Sequence, residues 1–131
     1  MNANSKSGVT LLEMTIVILV LLILMSTGLV VNAQYKKWQL GRTASETLRN
    51  VYSAQRLFLS DNPTVKVSEI EAEDIIPYLT TRETAIPTVE SLEGDQLKIK
   101  VDVSPPVIDD GSGGTYDPSG QPLDSLWDVG Q

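Results

Sequence analysis

The strongest constraint on this chain is an uninterrupted apolar segment close to its N-terminus. No charged residue occurs between Met14 and Tyr35, and the 23 residues from Val9 to Val31 contain a single charge. A helix needs about 20 apolar residues to cross a hydrocarbon core about 30 Å thick, so this segment is long enough to span a membrane. The apolar stretch of a secretory signal peptide is usually shorter, about 7 to 15 residues. The small residues before Gln34 nevertheless leave cleavage after Ala33 open as an alternative.

Composition excludes several classes of function. The 131 residues include no Cys and no His, which rules out a disulfide framework, a thiolate or imidazole metal site and a Ser-His-Asp triad. The formal net charge of −7 repels phosphate backbones, and no local basic patch is evident, so we expect no nucleic-acid partner. The remaining carboxylates, lysines and serines show no recognisable catalytic spacing, and we do not expect an enzyme.

The one charge inside the apolar segment is Glu13. An ionisable side chain at the centre of a membrane helix costs about 2.5 to 3.5 kcal/mol on insertion scales and is a functional hypothesis by default. Two structural interpretations remain beside the functional one. Glu13 either reaches the membrane interface, or is held by the helix N-terminus, where a carboxylate gains about 0.3 to 1 kcal/mol.

A short motif around this charge resembles a known family. Gly8 is followed by Val-Thr-Leu-Leu-Glu and then by the apolar run, after a polar leader of seven residues that contains Lys6. This arrangement is similar to the N-terminal signature of type IV prepilins and type II secretion pseudopilins. The resemblance covers about the first 30 residues. It implies that a prepilin peptidase cuts between Gly8 and Val9 and methylates Val9, which makes Glu13 the fifth residue of the mature chain.

The resemblance also implies a function. The chain would be a structural subunit of a type IV pilus-like or pseudopilus filament, alone or with other pilins. Its leader would be cytoplasmic and its C-terminal domain would lie outside the bacterial inner membrane. Lipid would surround the subunit until an inner-membrane assembly platform moves it into a periplasmic or extracellular filament. The numbers of basic residues on the two sides of the segment do not themselves favour this orientation.

The spacing of Glu13 from the predicted cleavage site has a physical rationale. Four helical residues from Val9 to Glu13 rise about 6 Å, so the carboxylate of one subunit can meet the Val9 amine of a neighbour displaced along a filament axis. Each charge alone is costly in an apolar environment, and a well hydrogen-bonded pair offsets much of that cost. Pairing with the amine of the same chain is also geometrically open, so the intermolecular partner comes from the resemblance.

Two features depart from the family pattern. Many type IVa pilins carry a proline that would fall at Val30, whereas the first proline here is Pro63. The helix is therefore expected to be continuous, or to unwind at Gly28, where helix propensity is weak. Many pilins also close a C-terminal loop with a disulfide, which this chain cannot form.

Periodicity predicts an α+β fold in which one long helix packs on a small antiparallel sheet, and the resemblance implies that this fold is pilin-like. Apolar residues recur at helical spacing beyond the apolar segment, and Pro63 ends the pattern, so the helix should run from Val9 to about Ser60. The predicted regions are a leader (1–8), a membrane and assembly helix (9–32) and a soluble domain (33–131).

Shorter elements are predicted after the long helix. A second helix is expected near residues 69–80, capped either at Ser68 or at Asp74 with Pro77 in its first turn. Strict alternation predicts a strand over 97–103, paired through a turn at 93–96 with a strand around 89–92.

The tail, residues 104–131, is acidic and rich in Gly and Pro, a composition typical of irregular structure. We expect no cofactor, with calcium in this C-terminal loop as the alternative, because major pseudopilins hold calcium there and Ca²⁺ takes six to eight oxygen ligands. The spacing does not match an EF-hand. The candidate ligands are Asp109, Asp110, Asp117, Asp124 and Asp128.

Two other functions remain open from the sequence. The chain could be a secreted binding module that signal peptidase releases after Ala33, or a simple membrane-anchored envelope protein. The N-terminus of the mature chain distinguishes the three.

Overall fold

The computed structural model describes residues 3–118, with side chains from Thr10 onward. The chain divides into two compact units, Met1–Lys36 and Lys37–Gln131. In the described residues the architecture is α+β, as predicted: one long helix, then short helical turns and two small antiparallel sheets.

The long helix, α1, spans Ala3–Asp61. Its predicted end near Ser60 is confirmed, and the backbone N–H of Asn62 donates the last helical bond, 2.9 Å to the carbonyl oxygen of Phe58. Its predicted start at Val9 is too late, because the helix already includes the residues from Ala3 onward. The expected alternative of unwinding at Gly28 is wrong, since helical geometry continues through it.

One face of α1 forms part of the core of the second unit. Ala44, Leu48 and Val51 are buried, as their helical spacing predicted, together with Ala54. They pack against apolar side chains of the later elements. The buried members of that partner set are Ile70, Ile75, Leu79, Val89, Ile99, Val101 and Ile108.

The predicted helix near 69–80 is replaced by three short turns. A 3-10 helix covers Val67–Glu69, helix α2 covers Ala72–Ile75, and a second 3-10 helix covers Ile76–Tyr78. Ser68 does not cap a helix; Glu71 is the N-cap of α2, and its backbone N–H donates to the carboxylate of Asp74 over 3.0 Å. Pro77 lies in the first turn of the second 3-10 helix, but the N-cap there is Ile75, so the predicted cap at Asp74 is wrong.

The first sheet is the predicted hairpin. Strands β1 (Val89–Glu90) and β2 (Gln96–Leu97) pair antiparallel, with Val89 opposite Leu97. The turn between them is held by the Ser91 hydroxyl, which accepts from the backbone N–H of Glu93 and of Asp95 at 3.2 and 3.0 Å. Gly94 adopts φ of 94°, a conformation that side-chain-bearing residues rarely take.

The predicted strand over 97–103 is too long, because the chain changes partner within it. Residues 96–97 pair with β1, whereas β3 (Ile99–Lys100) pairs with β4 (Val107–Asp109), which in turn pairs with β5 (Thr115–Tyr116). Alternation still predicts burial correctly at Ile99 and Val101. The prediction that the tail is irregular from residue 104 is wrong where β4 and β5 lie.

Candidate functional site

The candidate site is the apolar surface of α1 over residues 10–31, which nothing in the described chain covers. Its large side chains are all exposed, from 47% at Val20 to 72% at Leu11. By length and composition, α1 is the one described helix that could cross a membrane. An exposed apolar surface of this extent is typical of a protein that meets lipid or a partner rather than water.

The polar side chains of this surface are mostly satisfied within the helix. Three hydroxyls donate to the carbonyl oxygen four residues earlier, over 2.8 to 2.9 Å: those of Thr15, Ser26 and Thr27. Such bonds let hydroxyls enter an apolar environment without a lost hydrogen bond.

Glu13 differs from those hydroxyls. Its side chain is exposed on α1, and no described residue forms a hydrogen bond or an ion pair with it. Gly8 and Val9 fall within the same helix, so the backbone follows helical geometry from Val9 to Glu13. Placing an unpaired carboxylate in an apolar medium costs free energy. A cation from outside the described chain that pairs with Glu13 would offset that cost.

A shallow recess lies on the same unit around Gly28. It is lined by Leu24, Thr27, Gly28, Val31, Asn32 and Tyr35. A Cβ at Gly28 would meet no atom within 4 Å, so glycine is not required there by crowding in the chain itself. The recess is a place where another helix can approach α1 closely.

Two of the predicted calcium ligands, Asp109 and Asp110, accept hydrogen bonds from the loop that contains them. One carboxylate oxygen of Asp110 accepts from the backbone N–H groups of Ser112 and Gly114, each over 2.8 Å, and from the Ser112 hydroxyl. These bonds, with the backbone bond from Ser112 foremost, lower the pKa of Asp110 below its ordinary value. Asp109 accepts from the Gly111 N–H over 2.9 Å and lies 3.8 Å from the ammonium group of Lys100.

No group of three acidic side chains suited to a metal occurs among the residues described. Asp124 and Asp128 lie outside them, and calcium remains a prediction.

Sequence reasoning missed a basic surface on the second half of α1. Arg42, Arg49 and Arg56 are exposed and spaced by seven residues, which is close to two helical turns, so they share one face. We call these three residues the arginine stripe. From the sequence no local basic patch is expected, and the seven-residue spacing of the arginines is the signal that could have found the stripe.

Aromatic rings support two members of the stripe. The Arg42 guanidinium lies 5.5 Å from the centre of the Trp38 ring, and that of Arg56 lies 5.8 Å from the centre of the Tyr52 ring. Arg42 also contacts Glu46, with 3.1 Å between nitrogen and oxygen. Arg49 and Arg56 have no carboxylate within ion-pair distance among the described residues.

Comparison with known proteins adds no relative: no family model, curated protein or solved structure matches this chain.

Proposed function

We propose that this chain is a structural subunit of a membrane-stored filament of the type IV pilus or type II secretion pseudopilus kind. A peptidase cuts after Gly8, and the subunits then associate through the apolar surface of α1. The observation that carries the proposal is the uncompensated Glu13 carboxylate inside an apolar helix that the described chain leaves uncovered.

The proposal assigns Glu13 a partner in another subunit. Cleavage creates an amine at Val9, about 6 Å along the helix from Glu13, and a neighbour displaced by that rise brings amine and carboxylate together. A charge pair between two packed apolar helices fixes their axial register. Apolar contacts alone specify that register poorly. The uncut chain has no such amine, so processing becomes the switch for assembly.

The first test is the mass of the chain recovered from its native host. A product that starts at Val9 and carries one methyl group supports the filament subunit. A start at Gln34 identifies the secreted module instead, and an intact N-terminus identifies the simple membrane anchor.

The second test is Glu13→Ala. We expect insertion and cleavage to continue, since the variant makes the segment more apolar, while filament yield falls severely because the Val9 amine loses its counter-charge. Glu13→Gln keeps the size of the side chain and should fail in the same way, whereas Leu12→Ala, next to it and equally exposed, should assemble. Parental filament yield from Glu13→Ala would show that the charge pair has no part in assembly.

A further inference from the structure

We infer that the arginine stripe is a docking surface for a second copy of this chain, whose acidic residues around α2 it contacts. The inference rests on the proposed filament and names a second subunit contact, apart from the apolar surface of α1.

The stripe is built to face outward. The buried side of α1 carries Ala44, Leu48 and Val51, whereas the stripe lies on the opposite side of the same helix. From Arg42 to Arg56 it extends about 21 Å along the helix. Trp38 and Tyr52 lie under two of its guanidinium groups, so the stripe presents flat, partly preorganised cations rather than mobile ones.

Two of the three arginines of the stripe form no ion pair with a carboxylate of the described chain. Within the described chain Glu46 pairs with Arg42, and no carboxylate reaches Arg49 or Arg56. Guanidinium groups suit bidentate contacts with carboxylates. The partner should therefore supply two or more carboxylates at a spacing comparable to that of Arg49 and Arg56.

The same chain carries a group of exposed carboxylates. Glu69, Glu71 and Glu73 are exposed at the end of the first 3-10 helix and the start of α2, and no described cation pairs with them. We call them the acidic segment. Charge complementarity between the arginine stripe and the acidic segment favours a second copy, because every copy carries both surfaces.

The geometry of such a contact follows from its two different surfaces. A stripe that binds the acidic segment of the next copy leaves one stripe and one acidic segment unused at the two ends. Contacts of this heterologous kind propagate into an open helical polymer unless they close into a ring. They are therefore compatible with a filament and would set the positions of the second units within it.

Charge reversal tests the inference. Arg49→Glu with Arg56→Glu should reduce filament yield about tenfold or more, because like charges then face each other. Adding Glu69→Arg and Glu73→Arg in the same chain restores the complementarity and should recover the yield. Lys98→Glu with Lys66→Glu, which changes the net charge equally at other exposed positions, is the control and should assemble.

Failure of the inference is distinguishable from failure of the proposed function. Parental chains that form no filament while starting at Val9 would contradict the proposed function. Parental yield from the Arg49/Arg56 reversal would overturn the inference alone. Loss of assembly without recovery in the fourfold variant would also overturn it, and would favour a lipid headgroup or nucleic acid as the ligand of the stripe.

A cross-linking readout locates the contact directly. The chain has no cysteine, so introduced pairs are unambiguous. Asn50→Cys with Ala72→Cys places one thiol beside Arg49 and another within the acidic segment, at exposed positions that leave the charges intact. Oxidised filaments should then give a ladder of multimers on a non-reducing gel. Asn50→Cys with Thr84→Cys is the control, and a ladder from that pair but not from the first would overturn the inference.

Discussion

The side chain of Gln55 connects α1 to the chain that leaves β3. It is fully buried, and its amide nitrogen donates to the carbonyl oxygens of Val101 and Val103 over 2.7 and 2.8 Å. Its own amide oxygen has no partner among the described residues. Both carbonyls lie in the loop between β3 and β4, outside the strands, so Gln55 supplies hydrogen bonds that strand pairing does not give them.

We predict that Gln55→Leu lowers the free energy of unfolding by about 1 to 3 kcal/mol. The variant leaves two carbonyl oxygens without donors, one of them buried, and removing the unpartnered amide oxygen offsets only part of that loss. Urea unfolding of the full chain in detergent measures the change. Gln96→Leu, which removes an exposed acceptor of the Thr88 hydroxyl, is the control and should stay within about 0.5 kcal/mol of the parent. Equal stabilities for the two variants would contradict the role of Gln55.

Asp110 gives a prediction about pH. Its pKa is lowered in the folded chain, mainly by the backbone N–H of Ser112, so the folded state favours the ionised form. A lowered pKa stabilises the fold above the ordinary value of 3.8, and that stabilisation is lost as the pH falls through the folded-state pKa. Between pH 5 and pH 3, which bracket the ordinary value by about one unit, the parent should lose more stability than Asp110→Asn.

The control for this pH prediction is Asp102→Asn, which removes an exposed carboxylate that accepts no hydrogen bond from the described chain. Its acid sensitivity should match that of the parent. Identical pH profiles for the parent and Asp110→Asn would show that the loop does not depend on the ionised carboxylate.

The crowding around Asp110 also explains a glycine. A Cβ at position 114 would clash with the carboxylate of Asp110 and would have to displace it from its hydrogen bonds in the loop between β4 and β5.

The long helix could be predicted from the sequence, because its apolar pattern repeats over many residues. The cap of α2 and the pairing of β3 with β4 could not. Helix α1 was predicted to its end, because apolar spacing and Pro63 act over many residues. The cap of α2 could not be predicted: the sequence offers Ser68 or Asp74, whereas the structure places Glu71 at the N-cap. The predicted strand over 97–103 is divided at Lys98, because the residues before it pair with β1 and the residues after it pair with β4. Alternation of apolar and polar residues does not show which strand a segment pairs with.

The second hairpin was missed for a different reason. Strands β4 and β5 are short and are surrounded by Asp, Gly and Pro, so composition favours irregular structure there. The pairing depends on distant contacts: Ile108 is fully buried opposite Ile99, and the Tyr116 hydroxyl accepts from the backbone N–H of Leu92 over 2.9 Å. Neither contact has a local signature in the sequence.

Part of the candidate site could be predicted from the sequence and part could not. The apolar segment and Glu13 were visible in the sequence, because a single charge in such a run is conspicuous. The arginine stripe was not recognised, since three arginines among many polar residues become a surface only once the opposite side of α1 is known to be buried.

The balance of the whole chain between membrane and water depends on the segment from Met14 to Val31. It contains twelve Leu, Ile and Val residues. Each contributes about 0.3 to 0.6 kcal/mol to insertion when it lies near the centre of the bilayer, so together they favour the membrane by roughly 4 to 7 kcal/mol. One arginine at the centre costs about 2.5 to 3.5 kcal/mol, less than that total, and two arginines approximately cancel it.

We therefore predict a threshold in membrane retention. Leu19→Arg alone should leave the full chain in the membrane after alkaline carbonate extraction, whereas Leu19→Arg with Leu22→Arg should release most of it. Leu57→Arg with Leu59→Arg, in the second unit, should have no effect on retention, since that part of α1 packs within its own unit. If the Leu19/Leu22 variant stayed in the membrane as firmly as the parent, the apolar segment would not be what holds the chain there, and lipid storage before assembly would have to depend on another part of the molecule.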